Sequence, residues 1–433
     1  MRTVKILLGI VILVLVGFML ATLIQVPVPA ARPGSLDTSF HAPDGFVLFN
    51  GAAGSKDRGV EVALQDDGMI VVLGYSNNSR NEDLLLTRYT AGGDLDRGFG
   101  TNGTVLYDGG GNDRGLGLAL QPDGKILATG YTYNGKQRDV LLLRYGPDGT
   151  LDPTFGNGGV VMYSSAGNAT DIGFGIAMQA DGGIIVVGET ASLTSQDALV
   201  LRYTPAGIPD ARFGSGGVAT YGGAGMDRAF AAAVQPDGKI VVTGSTVRNA
   251  KDDVLLFRLN ADGMRDTAFG NGGAVTFSGI GDNPDYGNCV SLQDDGKIVV
   301  SGAVSNAGAY DVLLLRYNPD GTPDTAFGTG GAAFSGGAGD DYGYAHVVQA
   351  DKKIVVTGFT GTGTSNDVLL LRFDPSGQPD TGFGTGGRVT WSGTGNNMDY
   401  GQGLALQPDD RIVVTGFSTT PAGEDLLLMR FMP

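Results

Sequence analysis

Several residues that usually carry chemistry are scarce in this chain of 433 residues: one cysteine (Cys289), two histidines (His41 and His346) and one tryptophan (Trp391). A single cysteine allows no internal disulfide and says little about redox compartment. No C-x-x-C, H-E-x-x-H, G-x-S-x-G or P-loop phrase occurs, so the common zinc, hydrolase and nucleotide signatures are missing. Positive charge is short as well. Lys and Arg number 29 against 45 Asp and Glu, giving a net charge of −16 and disfavouring nucleic acid as a partner.

Glycine, by contrast, is abundant at 74 residues, without the period of three that collagen needs. Short apolar runs between glycine-rich turns argue for many strands rather than for disorder. One phrase recurs seven times. It reads "LDTSFHAPDG" from Leu36, "LDRGFGTNG" from Leu95 and "LDPTFGNGG" from Leu151, and its phenylalanines are Phe40, Phe99, Phe155, Phe213, Phe269, Phe327 and Phe383. Intervals of 59, 56, 58, 56, 58 and 56 residues are the mark of a repeat architecture.

Each period contains four strand-like pieces. In the second they are "DRGLGLALQ" (113–121), "KILATG" (125–130), "DVLLLRY" (139–145) and "VVMYS" (160–164). "PDG" joins the first two as a tight turn. "DVLLLRY" is too short for a useful helix and apolar on both faces, as suits a strand between neighbouring sheets. Small residues (Gly115, Gly117, Ala119) alternate with Leu116, Leu118 and Leu120 in the first strand, which fits the crowded position nearest an axis. Seven such units predict an all-β fold, a seven-bladed β-propeller of four-stranded blades. The last unit has three strands, and a surplus strand, "FVLFN" (46–50), lies near the front. Pairing of the two would close the ring, whereas an open solenoid would leave two exposed edges.

"LDxxFGxxG", "QPDGKI" and "DVLLLRY", recurring in order over residues 36–433, resemble the delta-60 repeat family of bacterial proteins, also described as a β-propeller domain of unknown function. The resemblance implies a propeller on an exported protein and brings no catalytic residues with it. The scarcity of tryptophan argues against the Trp-rich quinone-cofactor propellers, and no cofactor is expected.

Before the repeats, Arg2 and Lys5 precede an uncharged apolar run, Ile6 to Ile24, of 19 residues. As a helix it would span about 28 Å, near the hydrocarbon thickness of a bilayer. That length favours an uncleaved anchor over a cleaved signal, although Val28 and Ala30 suit a cleavage site. Residues 1–35 are therefore read as a hydrophobic signal or anchor helix and linker, and 36–433 as an extracytoplasmic, monomeric propeller.

Three polar positions recur. An aspartate opens each inner strand: Asp57, Asp113, Asp171, Asp227, Asp285, Asp341 and Asp399. A second opens each third strand: Asp83, Asp139, Asp197, Asp253, Asp311, Asp367 and Asp425. Such carboxylate pairs could serve a glycosidase, but sevenfold repetition favours capping of turn N–H groups over catalysis. An arginine closes each third strand: Arg88, Arg144, Arg202, Arg258, Arg316, Arg372 and Arg430. Its expected partner is the aspartate of the recurring phrase: Asp37, Asp96, Asp152, Asp210, Asp266, Asp324 and Asp380.

The candidate binding face carries the inner-strand aspartates and, in copies five to seven, Tyr286, Tyr342 and Tyr400, where copies one, two and four have Arg58, Arg114 and Arg228. Glu61 occupies a position that is otherwise small. Cys289 reads as a packed thiol and His346 as a buried, hydrogen-bonded ring. Asp/Asn-rich loops invite calcium, yet none has the D-x-[DN]-x-[DN]-G spacing. The overall expectation is a binding or scaffolding module for a protein or glycan. A polysaccharide lyase or hydrolase using channel-mouth carboxylates is the alternative.

Overall fold

Seven sheets of four antiparallel strands, and no helix, account for the regular structure among the described residues of the computed structural model. Described are residues 31–433 except 52–55, 79, 168, 192–194, 223–224, 249–250, 280–283, 307, 338, 362–364, 394–396 and 422. The apolar run of Ile6–Ile24 lies outside them, and no described helix is long and apolar enough to cross a membrane. The chain is a seven-bladed β-propeller of four-stranded blades.

Blade two shows why the repeat folds as it does. Its inner strand is Asp113–Leu120, followed by Ile126–Tyr133, Arg138–Tyr145 and an outer strand Val160–Tyr163. Val140, Leu141, Leu142 and Leu143 are all fully buried because both faces of the third strand meet a neighbouring sheet. One such layer joins Leu73, Leu84, Leu86 and Phe99 of blade one to Ile126, Leu141, Leu143 and Tyr145 of blade two. Each large side chain buried there contributes about 1.5–3 kcal/mol before chain entropy is counted. Blade seven combines Asp399–Leu406, Ile412–Thr420 and Gly423–Phe431 with an outer strand, Phe46–Phe49, in which Phe46 opposes Met429.

Alternating small and large residues suggest an uninterrupted inner strand, but each one carries a β-bulge. In blade two the register shifts between Gly115 and Gly117, leaving Leu116 as the extra residue. The bulge presses the backbone onto the second strand. A Cβ on Gly130 would lie 1.8 Å from the Arg114 carbonyl oxygen, so only glycine fits there. Directly after the bulge the inner strands touch one another: a Cβ on Gly117 would lie 2.8 Å from the Phe174 carbonyl oxygen of blade three. Glu61, Gly117, Gly175, Ala231, Cys289, Ala345 and Gly403 occupy this narrowest level.

Neighbouring blades are joined the same way each time. Gly100 N–H donates to the Asp148 carbonyl at 2.8 Å, and Gly156 to Ala206 at 2.9 Å. Gly214, Gly270 and Gly328 make the corresponding bonds, to Asp262, Asp320 and Ser376. The last two use the front of the repeats: Gly384 donates to Pro33 at 3.0 Å and His41 to Gly92 at 2.7 Å.

Candidate functional site

The recurring arginines and aspartates meet in all seven blades. Arg144 Nε donates to Asp152 Oδ2 at 2.9 Å, and Arg258, Arg316, Arg372 and Arg430 bond Asp266, Asp324, Asp380 and Asp37 at 2.7–2.8 Å. Arg88 reaches Asp96 at 2.6 Å and Arg202 reaches Asp210 at 3.2 Å. Each arginine does more than hold its own turn. Arg144 lies 4.4 Å over the Phe155 ring and donates to the Pro205 carbonyl of the next blade. A second cation from the "GKI" turn often joins: Lys239 and Lys297 approach Asp266 and Asp324 at 2.9 Å, and Arg411 approaches Asp37 at 3.2 Å. Where blade three has Gly183 instead, Arg212 bonds Asp210 at 2.9 Å and helps hold that carboxyl at about 2. For Asp152, hydrogen bonds from Thr154 and the charge of Arg144 outweigh burial and lower the pKa. These residues join blades together.

The inner-strand aspartates are also interior. Asp57, Asp113, Asp171, Asp285 and Asp399 are completely buried, and Asp227 and Asp341 nearly so. Gly109 N–H donates to Asp113 at 2.6 Å, Ser165 N–H to Asp171 at 2.6 Å and Gly393 N–H to Asp399 at 2.7 Å, while Arg388 pairs with Asp341 at 2.7 Å. Burial outweighs these bonds at Asp285, whose carboxyl is pushed up to about 6. Asp83, Asp108 and Asp113 each bring one ligand atom within 4.8 Å of the others. Each carboxylate already accepts a hydrogen bond, from Asn78, Gly110 and Gly109 respectively, as expected of turn scaffolding.

The residue after each inner aspartate faces the channel mouth, and there a residue at the start of one blade's third strand meets the next blade. Glu82 holds Arg114 through two bonds of 2.5 and 2.6 Å, and Glu424 holds Arg58 at 2.5 Å. Gln196 accepts from Arg228 at 3.4 Å, Tyr286 donates to Asp252 at 3.4 Å, and Asn366 bonds the Tyr400 hydroxyl. Tyr310 packs edge-on against Tyr342 at 5.6 Å. Aromatic rings continue from Tyr342 to Phe359, then Tyr400 and Phe417, on which the Arg58 guanidinium lies at 4.0 Å. Tyr286, Tyr342 and Tyr400 are half-buried members of this belt.

Below the mouth lies a cavity of about 380 Å³, lined by the inner strands of all seven blades. Its wall is two-sided. Blades two to four present Leu116, Leu118, Phe174, Ile176 and Phe230, whereas blades five, six, seven and one present Asn288, Cys289, Tyr344, His346, Gln402 and Glu61. The bulge residues account for most of this division. Burial pushes the Glu61 carboxyl up to about 7, only partly offset by a bond from the Val62 backbone. It pushes the Cys289 thiol up to about 12 and the His346 imidazole down to about 4. His346 is 5 % exposed, with Nε2 2.7 Å from Ser291 Oγ and Nδ1 2.8 Å from Ser301 Oγ, so both ring nitrogens are engaged. Sequence reasoning singled out Glu61, Cys289 and His346 but missed Asn288, Tyr344 and Gln402. Their departure from the apolar residues at equivalent positions was the available signal.

Six segments, 65–99, 121–155, 179–213, 235–269, 293–327 and 349–383, match a family model described as "Domain of unknown function (DUF5122) beta-propeller". Over these segments the chain is similar to the repeats of that β-propeller family of unknown function. No curated protein matches the chain. Among solved structures, the propeller is similar to polysaccharide lyase Uly1 at 11% identity and TM-score 0.48, covering 86% of this chain and 90% of that one. It is also similar to Sqt1 from Chaetomium thermophilum, at 13% identity and TM-score 0.44, covering 89% of this chain and 98% of the other. Trypanosoma rangeli sialidase is 10% identical with TM-score 0.40, covering 73% and 54% of the two chains.

Proposed function

We propose that this chain is an exported, membrane-tethered propeller that serves as a binding or scaffolding module, taking a protein or glycan at the channel and its mouth. One observation carries the reading: a framework whose joints repeat seven times has a channel wall that does not repeat, carrying polar side chains among apolar ones on four blades and apolar residues alone on three. Structural needs alone would be met equally by similar residues in every blade. Ring closure by Phe46–Phe49 belongs to the same proposal and is supported by its pairing with blade seven. Export and tethering rest on the apolar run after Arg2 and Lys5, and the delta-60 resemblance is consistent with them. Glycan and protein arrays probed with the full-length chain, with and without calcium, test the binding role; silence throughout would sink it. Fractionation of the full-length protein separates a retained anchor from a cleaved leader.

Glu61 favours a second reading, an extracytoplasmic lyase or hydrolase acting on polysaccharide. A channel carboxyl that titrates near 7 suits proton transfer at neutral pH. Release of product from a polysaccharide panel, lost in Glu61→Gln, would support the enzyme over the binding module.

A further inference from the structure

The mouth pairs a residue of each blade with one of the next, and at one boundary that pairing fails. In blade two the residue at the start of the third strand is Arg138, and the position it meets in blade three is Ile172. Six boundaries match acid with base, amide with its partner, or ring with ring. The seventh sets a cation against an aliphatic side chain. Arg138 is exposed, forms no ion pair with any described residue, and is steadied by the Tyr131 ring 4.6 Å beneath it. No other blade has a cation at this position: the equivalents are Glu82, Gln196, Asp252, Tyr310, Asn366 and Glu424.

A pocket of about 380 Å³ opens at this boundary, lined by Arg114, Arg138 and Arg228, with Glu189 as the only carboxylate among its described lining residues. Glu189 is already engaged, by Arg228 at 3.3 Å and by the Gln196 amide, and it feels the charge of Arg138 without pairing with it. Arg114 is held by Glu82 and Arg228 by Glu189, which leaves Arg138 as the guanidinium of this pocket with no ion pair among the described residues. The floor consists of Leu116, Phe174 and Phe230, which also line the central cavity, and the two phenyl rings meet edge to face at 5.5 Å.

We propose that this pocket binds a carboxylate carried on a ring with an apolar face, the carboxylate completing the missing pair at Arg138 and the ring resting on Phe174 and Phe230. Guanidinium forks match carboxylate geometry, and aromatic faces accept the C–H face of a sugar or the face of an aryl ring. The proposal rests on the binding-module reading and specifies its ligand chemistry.

Calorimetric titration of the full-length protein with digalacturonate, neutral digalactose and benzoate tests it, the two acids separating a sugar source from an aryl one. Binding of either acid but not of digalactose is expected. Arg138→Gln should weaken that binding by about tenfold or more, Arg138→Lys should restore part of it, and the melting temperature should not change because Arg138 is exposed. Equal binding of digalactose, indifference to Arg138→Gln, or no binding of either acid would overturn the proposal. An array ligand that binds regardless of Arg138→Gln would remove this site and leave the binding module standing.

Discussion

His346 and Ser291 face each other across the boundary between blades five and six, with Nε2 and Oγ 2.7 Å apart. Neither residue recurs elsewhere: the equivalents of His346 are aliphatic, and those of Ser291 are alanine or valine. The pair is a coupled departure from the repeat. Ser291→Ala alone leaves a buried ring nitrogen without its partner, costing about 1–3 kcal/mol. In a His346→Leu background the same substitution should cost much less, because the pair then resembles the other blades. Urea unfolding of the four proteins measures the coupling, and simple additivity would contradict it.

The same histidine gives a pH signature. Its folded pKa is lowered to about 4 from 6.5, so between those values the unfolded chain holds a proton that the folded chain does not. The contribution of His346 to stability should fall as pH drops from about 6.5 to about 4, read as the difference between wild type and His346→Leu in urea titrations.

Glu61 acts in the opposite direction. Its carboxyl is raised from 4.5 to about 7, so the folded state holds the extra proton and the contribution of Glu61 to stability declines as pH rises through that window. Glu61→Gln should remove this decline and be relatively more stabilising at pH 8 than at pH 5. A difference between wild type and Glu61→Gln that is flat between those values would count against a desolvated carboxyl in the channel.

The aspartates of the recurring phrase govern the acid limb. Asp37, Asp96, Asp152, Asp210, Asp266, Asp324 and Asp380 are all lowered below 3.8. Their contribution is complete above about pH 4 and is lost as pH falls below it, down to about 2 for Asp210. Denaturant midpoints should drop steeply across that interval.

Arg144→Met removes the partner of buried Asp152, the bond to Pro205 and the contact with Phe155. Asp152 keeps its hydrogen bonds from Thr154 and has Lys125 at 3.7 Å, so a loss of about 1–3 kcal/mol is expected. An unchanged melting temperature would mean that the repeated pair contributes nothing to holding the blades.

The period, the four strands and the Arg–Asp partnership were legible because each depends on residues recurring at fixed spacing. The bulge was not, since Leu116 continues the alternation that an unbroken strand would show; the clue lay on the neighbouring strand, where Gly130 admits no side chain. Exposure was illegible too. Asp113 and Tyr286 sit one strand position from a mouth, yet one is sealed under a turn and the other joins an aromatic belt. The two-sided channel depends on Phe174 of blade three and Gln402 of blade seven lining one cavity, which the sequence alone does not bring together.

The joints between blades are chemically alike, so they can hold neighbours together but cannot count them. Counting falls to the narrowest level of the channel, where Gly117, Gly175 and Gly403 let adjacent backbones nearly touch. The bulk summed around that level fixes the wedge angle of each blade, and hence the number that fits in one turn. Glu61 and Cys289 are its largest members, so the residues that give the channel its chemistry also help set its circumference.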